Sequence, residues 1–146
     1  MSGTLRERAL RLLARREHAR VELSRKLSPY AESAEQLETL LDELTARRLL
    51  SDERYVEMRL NARSARFGNA RLAHELRMQG VAEELVRNAL ASGQNELTRA
   101  QQVWQRKFGC LPENPAERAR QMRFLISRGF SGETLRRVLR GDFEDD

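Results

Sequence analysis

Few side chains in this sequence have the type and spacing that chemistry requires. Cys110 is the single cysteine, so the chain can form no internal disulfide and no multi-cysteine zinc site. The histidines His18 and His74 have no partner at metal-ligand spacing, and His74 fits a surface or boundary position on a helix. Cys110 is at most a candidate for a reactive thiol. We therefore expect no metal site and no cofactor.

The carboxylates do not indicate an enzyme either. Glu22, Glu38, Glu57 and Glu75 fall on charged helix faces, where a solvated role is far more common than acid or base work. No glycine-rich phosphate-binding motif of the P-loop or dinucleotide type occurs in the sequence. We therefore expect a protein without catalytic activity.

The elements that must position these side chains are helices. The chain has only 8 glycines and 3 prolines in 146 residues, and helix-forming residues dominate it. Capping boxes at Thr4 and Ser33 begin helices, and Asn114 followed by Pro115 begins another. Glycines predict helix ends because a left-handed residue closes a helix cheaply. These glycines are Gly68, Gly80, Gly93, Gly109 and Gly129.

Together these signals predict an all-α chain of nine short helices. The predicted ranges are 5–16, 18–28, 34–48, 52–66, 69–79, 82–92, 96–108, 115–128 and 132–140. Segments around Leu23, Leu76 and Leu125 align at intervals of 53 and 49 residues, which favours a tandem array of three three-helix repeats. We place these repeats at 1–50, 51–94 and 95–141, followed by an acidic tail at 142–146.

Composition excludes a membrane-spanning chain. Hydrophobic residues make up 40% and charged residues 34% of the sequence, and no run approaches the roughly 18 apolar residues of a spanning helix. Arginines occupy the N-terminal positions where a signal peptide would keep its apolar run. We expect a cytoplasmic protein.

Positive charge is concentrated in clusters. The net charge is +5, but residues 6–26 alone carry eight basic and three acidic side chains, and residues 32–43 carry five acidic and no basic ones. Arginine supplies 25 of the 27 basic residues, and its planar fork suits phosphates and carboxylates. The phosphates of a nucleic-acid backbone or the carboxylates of an acidic protein surface would neutralise these clusters equally well. Because Trp104, Phe108, Phe124 and Phe130 sit at core spacing, the sequence does not indicate a stacking platform for single strands.

Two segments resemble a known family. Residues 49–57, LLSDERYVE, and residues 66–81, RFGNARLAHELRMQGV, are together similar to the signature of the RecX family. The similarity continues through residues 18–27 and 123–130, and so covers nearly the whole chain. A departure is Leu27-Ser28-Pro29, where many relatives end the helix with glycine.

The resemblance implies an elongated, curved array of three-helix repeats and a regulator of the RecA recombinase. Family members bind the RecA filament on single-stranded DNA, lie in its helical groove, and inhibit ATP hydrolysis, strand exchange and co-protease activity. These processes belong to recombination, DNA repair and the SOS response. The implied partners are the RecA filament and, weakly, the phosphate backbone of single-stranded DNA, and we expect a monomer that acts by binding and bridging.

The resemblance and the charge clusters together suggest which residues make contact. The candidates are the basic residues at family motif positions: Arg20, Arg25, Lys26, Arg63, Arg66, Arg71, Arg77, Arg118, Arg123 and Arg128. A second set is expected to be structural, with Ser51 or Asp52 capping a helix and Tyr55 packing between repeats. This set contains Asp52, Glu53, Arg54, Tyr55, Gly80 and Gly129.

Two alternatives remain open. Residues 117–140 also fit a sequence-specific helix-turn-helix DNA binder with Arg136, Arg137 and Arg140 exposed. A protein-interaction scaffold without any DNA link would instead use the acidic segment 32–43 as its docking face. The acidic tail is a third open point, since it could compete with nucleic acid for the basic third repeat.

Overall fold

The computed structural model describes residues 3–142, and in that part of the chain the regular structure is entirely helical. This confirms the all-α prediction, and the helix ends lie within three residues of the predicted ones. A 3₁₀ turn, Ser28–Tyr30, follows the second helix. The nine α-helices of the described residues are α1 Leu5–Arg15, α2 Arg20–Leu27, α3 Ala34–Ala46, α4 Asp52–Arg63, α5 Asn69–Met78, α6 Glu83–Ser92, α7 Glu96–Lys107, α8 Pro115–Ser127 and α9 Gly132–Leu139.

Side-chain caps begin the helices where the sequence predicts them. The oxygens of Thr4, Ser33 and Asn114 each accept a hydrogen bond from the backbone N–H three residues later, at 3.1, 3.0 and 2.8 Å. Ser51 caps α4 in the same way, with its Oγ accepting from the N–H of Arg54. Each cap satisfies a donor that the first helical turn leaves unpaired.

The predicted glycine ends divide into two kinds. Gly80, Gly109 and Gly129 have φ of +77°, +73° and +90°, which confirms left-handed closure at these three positions. Gly68 and Gly93 do not have positive φ, so that prediction is wrong for them. Gly68 is needed for space instead, because a Cβ there would lie 2.3 Å from the carbonyl oxygen of Gly129. Its N–H donates to the carbonyl of Arg128 at 2.7 Å.

The chain divides into two compact units. The first unit contains the residues up to Met58 together with Leu76–Val86, and the second contains Arg59–Glu75 with the residues from Arg87 onward. A leucine-rich core, including Leu23, Leu41 and Leu44, lies in the first unit. The core of the second unit is built around Trp104, Leu125 and Leu135 of α7, α8 and α9. The three repeat boundaries drawn from the sequence stay a prediction.

No helix among residues 3–142 combines the length and the apolar character needed to cross a membrane.

Candidate anion-binding surfaces

A buried carboxylate organises the N-terminal half of α2 in the first unit. Glu22 accepts two hydrogen bonds from Arg16, at 3.1 and 2.6 Å, and one from the N–H of Ala19. Lys26 lies 3.7 Å away. Burial raises the pKa of Glu22, but the hydrogen bond and charge of Arg16 outweigh it and lower that pKa overall. The pair holds the loop before α2 against the helix, and its charge is balanced internally.

His18, which the sequence left without a role, is buried in the same network. Its Nδ1 lies 3.1 Å from the carbonyl oxygen of Arg16 and its Nε2 lies 3.1 Å from Nζ of Lys26. A neutral ring that donates from Nδ1 and accepts at Nε2 satisfies both contacts. Burial lowers the pKa of His18, which keeps the ring neutral. No spacing rule in the sequence could have found this histidine, because its partners are a backbone carbonyl and a lysine.

Two of the predicted contact arginines of the first unit are engaged within the molecule. Arg20 binds Glu38 and Asp42 at 2.9 and 2.7 Å. Arg25 donates to the carbonyl of Met78 and to Gln79. Part of the acidic segment 32–43 therefore neutralises Arg20, which reduces the free charge that a scaffold-type docking face would offer.

A basic groove lies along α1, and of its lining cations only Lys26 was among the predicted contact residues. Arg8, Arg11 and Arg15 share one face of α1, and together with Lys26 and Tyr30 they line a groove of about 300 Å³. Among the described residues, no salt bridge involves these three arginines. We call this surface the α1 groove. The spacing of the arginines at i, i+3 and i+7 was the available signal.

In the second unit, Glu75 is the centre of an arginine cluster. Arg63 binds it through two hydrogen bonds of 2.6 and 2.8 Å, and Arg59 and Arg71 lie 3.4 and 3.5 Å away. Burial raises the pKa of Glu75, but the hydrogen bond and charge of Arg63, together with Arg59 and Arg71, lower it overall. Three cations surround one carboxylate, so positive charge remains in excess here.

The ring of Phe67 collects four guanidinium groups, and we call this set the Phe67 cluster. Arg63, Arg66, Arg71 and Arg128 lie 4.4, 5.5, 4.2 and 5.3 Å from the ring centroid. All four were predicted contact residues, and the structure brings them together. Cation–π attraction holds each arginine by about 0.5–1 kcal/mol at exposed sites without removing its charge.

A groove continues from the Phe67 cluster. It has a volume of about 370 Å³ and includes Arg66, Arg106, Lys107 and Arg128 among its lining residues. Lys107 and Arg128 lie 5.3 and 5.0 Å from the ring of Phe124. Within residues 3–142, none of these four cations forms a salt bridge. Sequence reasoning missed Arg106 and Lys107 here.

A buried arginine holds this part of the second unit in place. Arg99 is 2% exposed and donates to the carbonyl of Phe67 and to Oδ1 of Asn69. Burial lowers its pKa. Glu96 accepts from the N–H of Asn69 at 2.7 Å and from Thr134 Oγ1 at 2.8 Å. This network fixes the segment that carries Phe67, and no spacing pattern in the sequence predicts it.

The remaining contact candidates lie outside both grooves. Arg77 pairs with Glu83 through two hydrogen bonds of 2.7 Å. Arg118 is half-buried and Arg123 is exposed on α8.

The signature-like segment at the start of α4 makes internal contacts. Asp52 accepts from the N–H of Arg20 at 2.8 Å. Arg54 binds Glu17 and the carbonyl of Arg48. Tyr55 is 2% exposed, whereas Glu53 points to solvent. These contacts tie α4 to the loop before α2 inside the first unit.

The helix-turn-helix alternative loses part of its basis. Arg137 is not exposed as that alternative expected: its side chain is 20% exposed and it pairs with Asp142 at 3.3 Å. Arg140 lies 3.7 Å from the same carboxylate, and Arg136 is exposed. Asp142, the first acid of the predicted tail, therefore pairs with two arginines at the end of α9. The tail acids Glu144, Asp145 and Asp146 lie outside the described residues.

Comparisons with known proteins agree with these observations. Residues 51–90 match the family model described as "RecX, second three-helix domain", and residues 94–139 match that described as "RecX, third three-helix domain". A "Regulatory protein RecX" from Chromobacterium violaceum is 46% identical over 143 residues, covering 98% of this chain and 93% of that protein. Another from Leptothrix cholodnii is 47% identical over 145 residues, covering 98% and 92%.

A solved structure supports the same fold. The crystal structure of RecX from Lactobacillus salivarius superposes with a TM-score of 0.79 at 15% identity, covering 94% of each chain. At that identity the match concerns the fold alone.

Proposed function

The chain belongs to the RecX family, and we propose that it regulates the RecA recombinase by binding the RecA filament on single-stranded DNA. The observation that carries this proposal is the identity of 46% to a RecX regulatory protein over almost the whole of both chains. In this proposal the bound chain suppresses ATP hydrolysis, strand exchange and co-protease activity. It acts in the cytoplasm as a monomer, and it performs no chemistry.

The cations of the second unit support a partner rich in anions. A nucleoprotein filament offers phosphates and protein carboxylates at short intervals, and several weak contacts to it add to a strong one. Within the Phe67 cluster, Arg63 and Arg71 are already held by Glu75. Arg66 and Arg128 rest on aromatic rings and keep their charge. We therefore propose Arg66 and Arg128 as leading contacts.

The other predicted contact residues stay part of the proposal, with differing support. Lys26, Arg118 and Arg123 form no bidentate ion pair among the described residues. Arg20 and Arg77 would have to exchange an internal carboxylate for an external anion, which makes them weaker candidates.

The test is RecA's hydrolysis of ATP on single-stranded DNA while this protein is titrated well below one copy per RecA protomer. We expect inhibition at these ratios, because one bound chain would affect several protomers. Absence of inhibition at every ratio, with the protein folded, would contradict the proposal. Selective binding to one duplex sequence would then favour the helix-turn-helix alternative.

A charge-reversal pair connects the inhibition to the surface. Arg66→Glu combined with Arg128→Glu should weaken inhibition at least tenfold while helix content is retained. Arg71 is a poorer choice, because its Nη1 also donates to the carbonyl of Ser127 and its reversal would disturb the fold. Arg87→Glu combined with Arg136→Glu is the matched control, since both positions are exposed, lie outside the two grooves and change the charge equally. Equal loss in both pairs would show a general charge effect.

A further inference from the structure

The α1 groove contains an exposed aromatic ring beside unpaired cations. Tyr30 is 55% exposed, and the guanidinium of Arg8 lies 3.7 Å from the centroid of its ring. Tyr30 is the last residue of the 3₁₀ turn Ser28–Tyr30, in which Pro29 is the second residue. This turn holds the tyrosine at the groove. Arg8 covers one face of the ring, which leaves the rest of the ring to solvent.

The arginine charge of this groove is not balanced inside the molecule, whereas Lys26 lies 3.7 Å from Glu22. Other arginines of the first unit have carboxylate partners: Arg16 binds Glu22, and Arg54 binds Glu17. Among the described residues, Arg8, Arg11 and Arg15 form no salt bridge. Like charges at i, i+3 and i+4 on a helix repel one another, so an external anion would stabilise this face.

We propose that the α1 groove binds single-stranded DNA, with one base stacked on Tyr30 and adjacent phosphates on Arg11, Arg15 and Lys26. An aromatic face beside a row of cations is the arrangement that single-strand binding uses. A duplex cannot use it, because its bases are already stacked, and an acidic peptide would have no need of the ring. Leu12 and Leu27 also line the groove, and apolar side chains suit the face of a base.

This inference goes beyond the proposed function, which assigns no stacking contact and no role to α1. The expectation that aromatic residues form no stacking platform concerned Trp104 and Phe130, which are buried, and Phe108 and Phe124, which are half-buried. That expectation did not consider Tyr30, which is exposed.

The test measures binding of the full chain alone to a fluorescent oligo-dT by anisotropy over a range of salt concentrations. Tyr30→Leu should weaken oligo-dT binding about tenfold, the size of one base–aromatic stack, and leave binding to an abasic deoxyribose-phosphate strand unchanged. Arg11→Gln with Arg15→Gln should weaken both ligands and flatten the salt dependence by about two phosphate contacts, roughly 0.7 each in the logarithmic slope.

Controls separate this site from general charge effects. Arg87→Gln with Arg136→Gln removes the same charge outside the groove and should have a much smaller effect. Equal losses for both ligands in Tyr30→Leu would overturn the stacking, and equal affinity for duplex would overturn the single-strand preference. Displacement of the oligonucleotide by poly-glutamate at equal charge concentration would assign the groove to an acidic protein instead. Because no RecA is present, the outcome does not depend on the regulator proposal.

A cross-link provides an independent reading of position. Ultraviolet irradiation with a 5-bromodeoxyuridine oligonucleotide should attach it to the tryptic peptide of residues 27–47, in which Tyr30 is the only aromatic residue. A cross-link found only in other peptides would contradict the proposal.

Discussion

Helices α2, α5 and α8 align in sequence, yet they end in two different ways. α5 and α8 end at Gly80 and Gly129 with positive φ, and other parts of the chain approach those glycines closely. α2 has Leu27-Ser28-Pro29 instead and continues into a 3₁₀ turn. The glycine ends are closed by packing, whereas the 3₁₀ end projects Tyr30 to solvent. Where α2 departs from the glycine ending of α5 and α8, the chain has an exposed aromatic residue.

The same three helices also differ at one aligned position, occupied by Glu22, Glu75 and Phe124. The two glutamates form ion pairs with neighbouring cations and neutralise part of their positive charge. Phe124 gathers Lys107 and Arg128 by its ring and neutralises neither. Cations paired with a carboxylate are thus partly neutralised by it, whereas those held by an aromatic ring alone keep their charge.

The largest effect is expected at the closed end of α8. A Cβ on residue 129 would lie 2.7 Å from the backbone nitrogen of Arg71, and φ is +90°. Gly129→Ala should therefore lower the free energy of unfolding by about 3 kcal/mol or more, from left-handed strain and a backbone clash. At Gly80 the three atoms nearest to such a Cβ belong to the side chain of Val21 rather than to backbone, so Gly80→Ala should cost less. Urea denaturation of both variants measures the difference, and equal losses would contradict the distinction.

The next effect concerns the buried carboxylate of α2. Glu22→Gln leaves Arg16 without its counter-charge, and the Glu22 side chain is only 10% exposed. Removing one partner of a fully buried pair costs about 3 kcal/mol, and solvent at Arg16, whose side chain is 40% exposed, reduces the expected loss to about 2 kcal/mol. Glu35→Gln, at an exposed α3 position without a salt bridge in the described residues, is the control and should change little. Thermal unfolding followed by circular dichroism would decide, and a loss no larger than that of the control would show that Glu22 is not structural.

At the aligned position of α5 the loss should be smaller. The side chain of Glu75 is 20% exposed against 10% for Glu22, so water screens its carboxylate more, although Arg63 at 22% is less exposed than Arg16 at 40%. Glu75→Gln should cost about 1 kcal/mol in urea denaturation. If it cost as much as Glu22→Gln, the two carboxylates would be equivalent and the comparison between them would fail.

Local signals in the sequence were enough for the helices. Caps at Thr4, Ser33 and Asn114 and the left-handed glycines act through their immediate neighbours, so their spacing alone predicts them. Gly68 shows the limit, because its reason is the backbone of Gly129, more than sixty residues away in sequence. A contact between residues so far apart in the chain leaves no local pattern in the sequence.

The candidate surfaces were predictable in composition but not in arrangement. Family motifs selected Arg63, Arg66, Arg71 and Arg128, and the structure places all four around Phe67. Which arginines are neutralised depends on distant carboxylates, as Arg20 shows with Glu38 and Asp42. The α1 groove was missed because its arginines stand out only by having no carboxylate partner among the described residues. The sequence does not show which arginines lack such a partner.

The first unit should also respond to pH near neutrality, through His18. Burial lowers the pKa of His18 in the folded state, so the unfolded chain takes up a proton first as pH falls through about 6.5. Stability contributed by the neutral ring is present above that pH and declines below it. His18→Gln, whose amide can both donate and accept, should flatten the profile of unfolding free energy between pH 7.5 and 5.5. An unchanged slope in the variant would assign the pH dependence to other groups.

The smallest effect is expected at an exposed pair two residues beyond Glu75. Arg77 binds Glu83 through two short hydrogen bonds, but their side chains are 51% and 49% exposed. An exposed pair gains little, because water competes for both charges and ordering two long side chains costs entropy. Arg77→Gln should therefore leave urea denaturation unchanged within error, although its bond lengths match those between Arg63 and Glu75. A loss as large as that of Glu75→Gln would mean that geometry rather than burial sets the strength of these clusters.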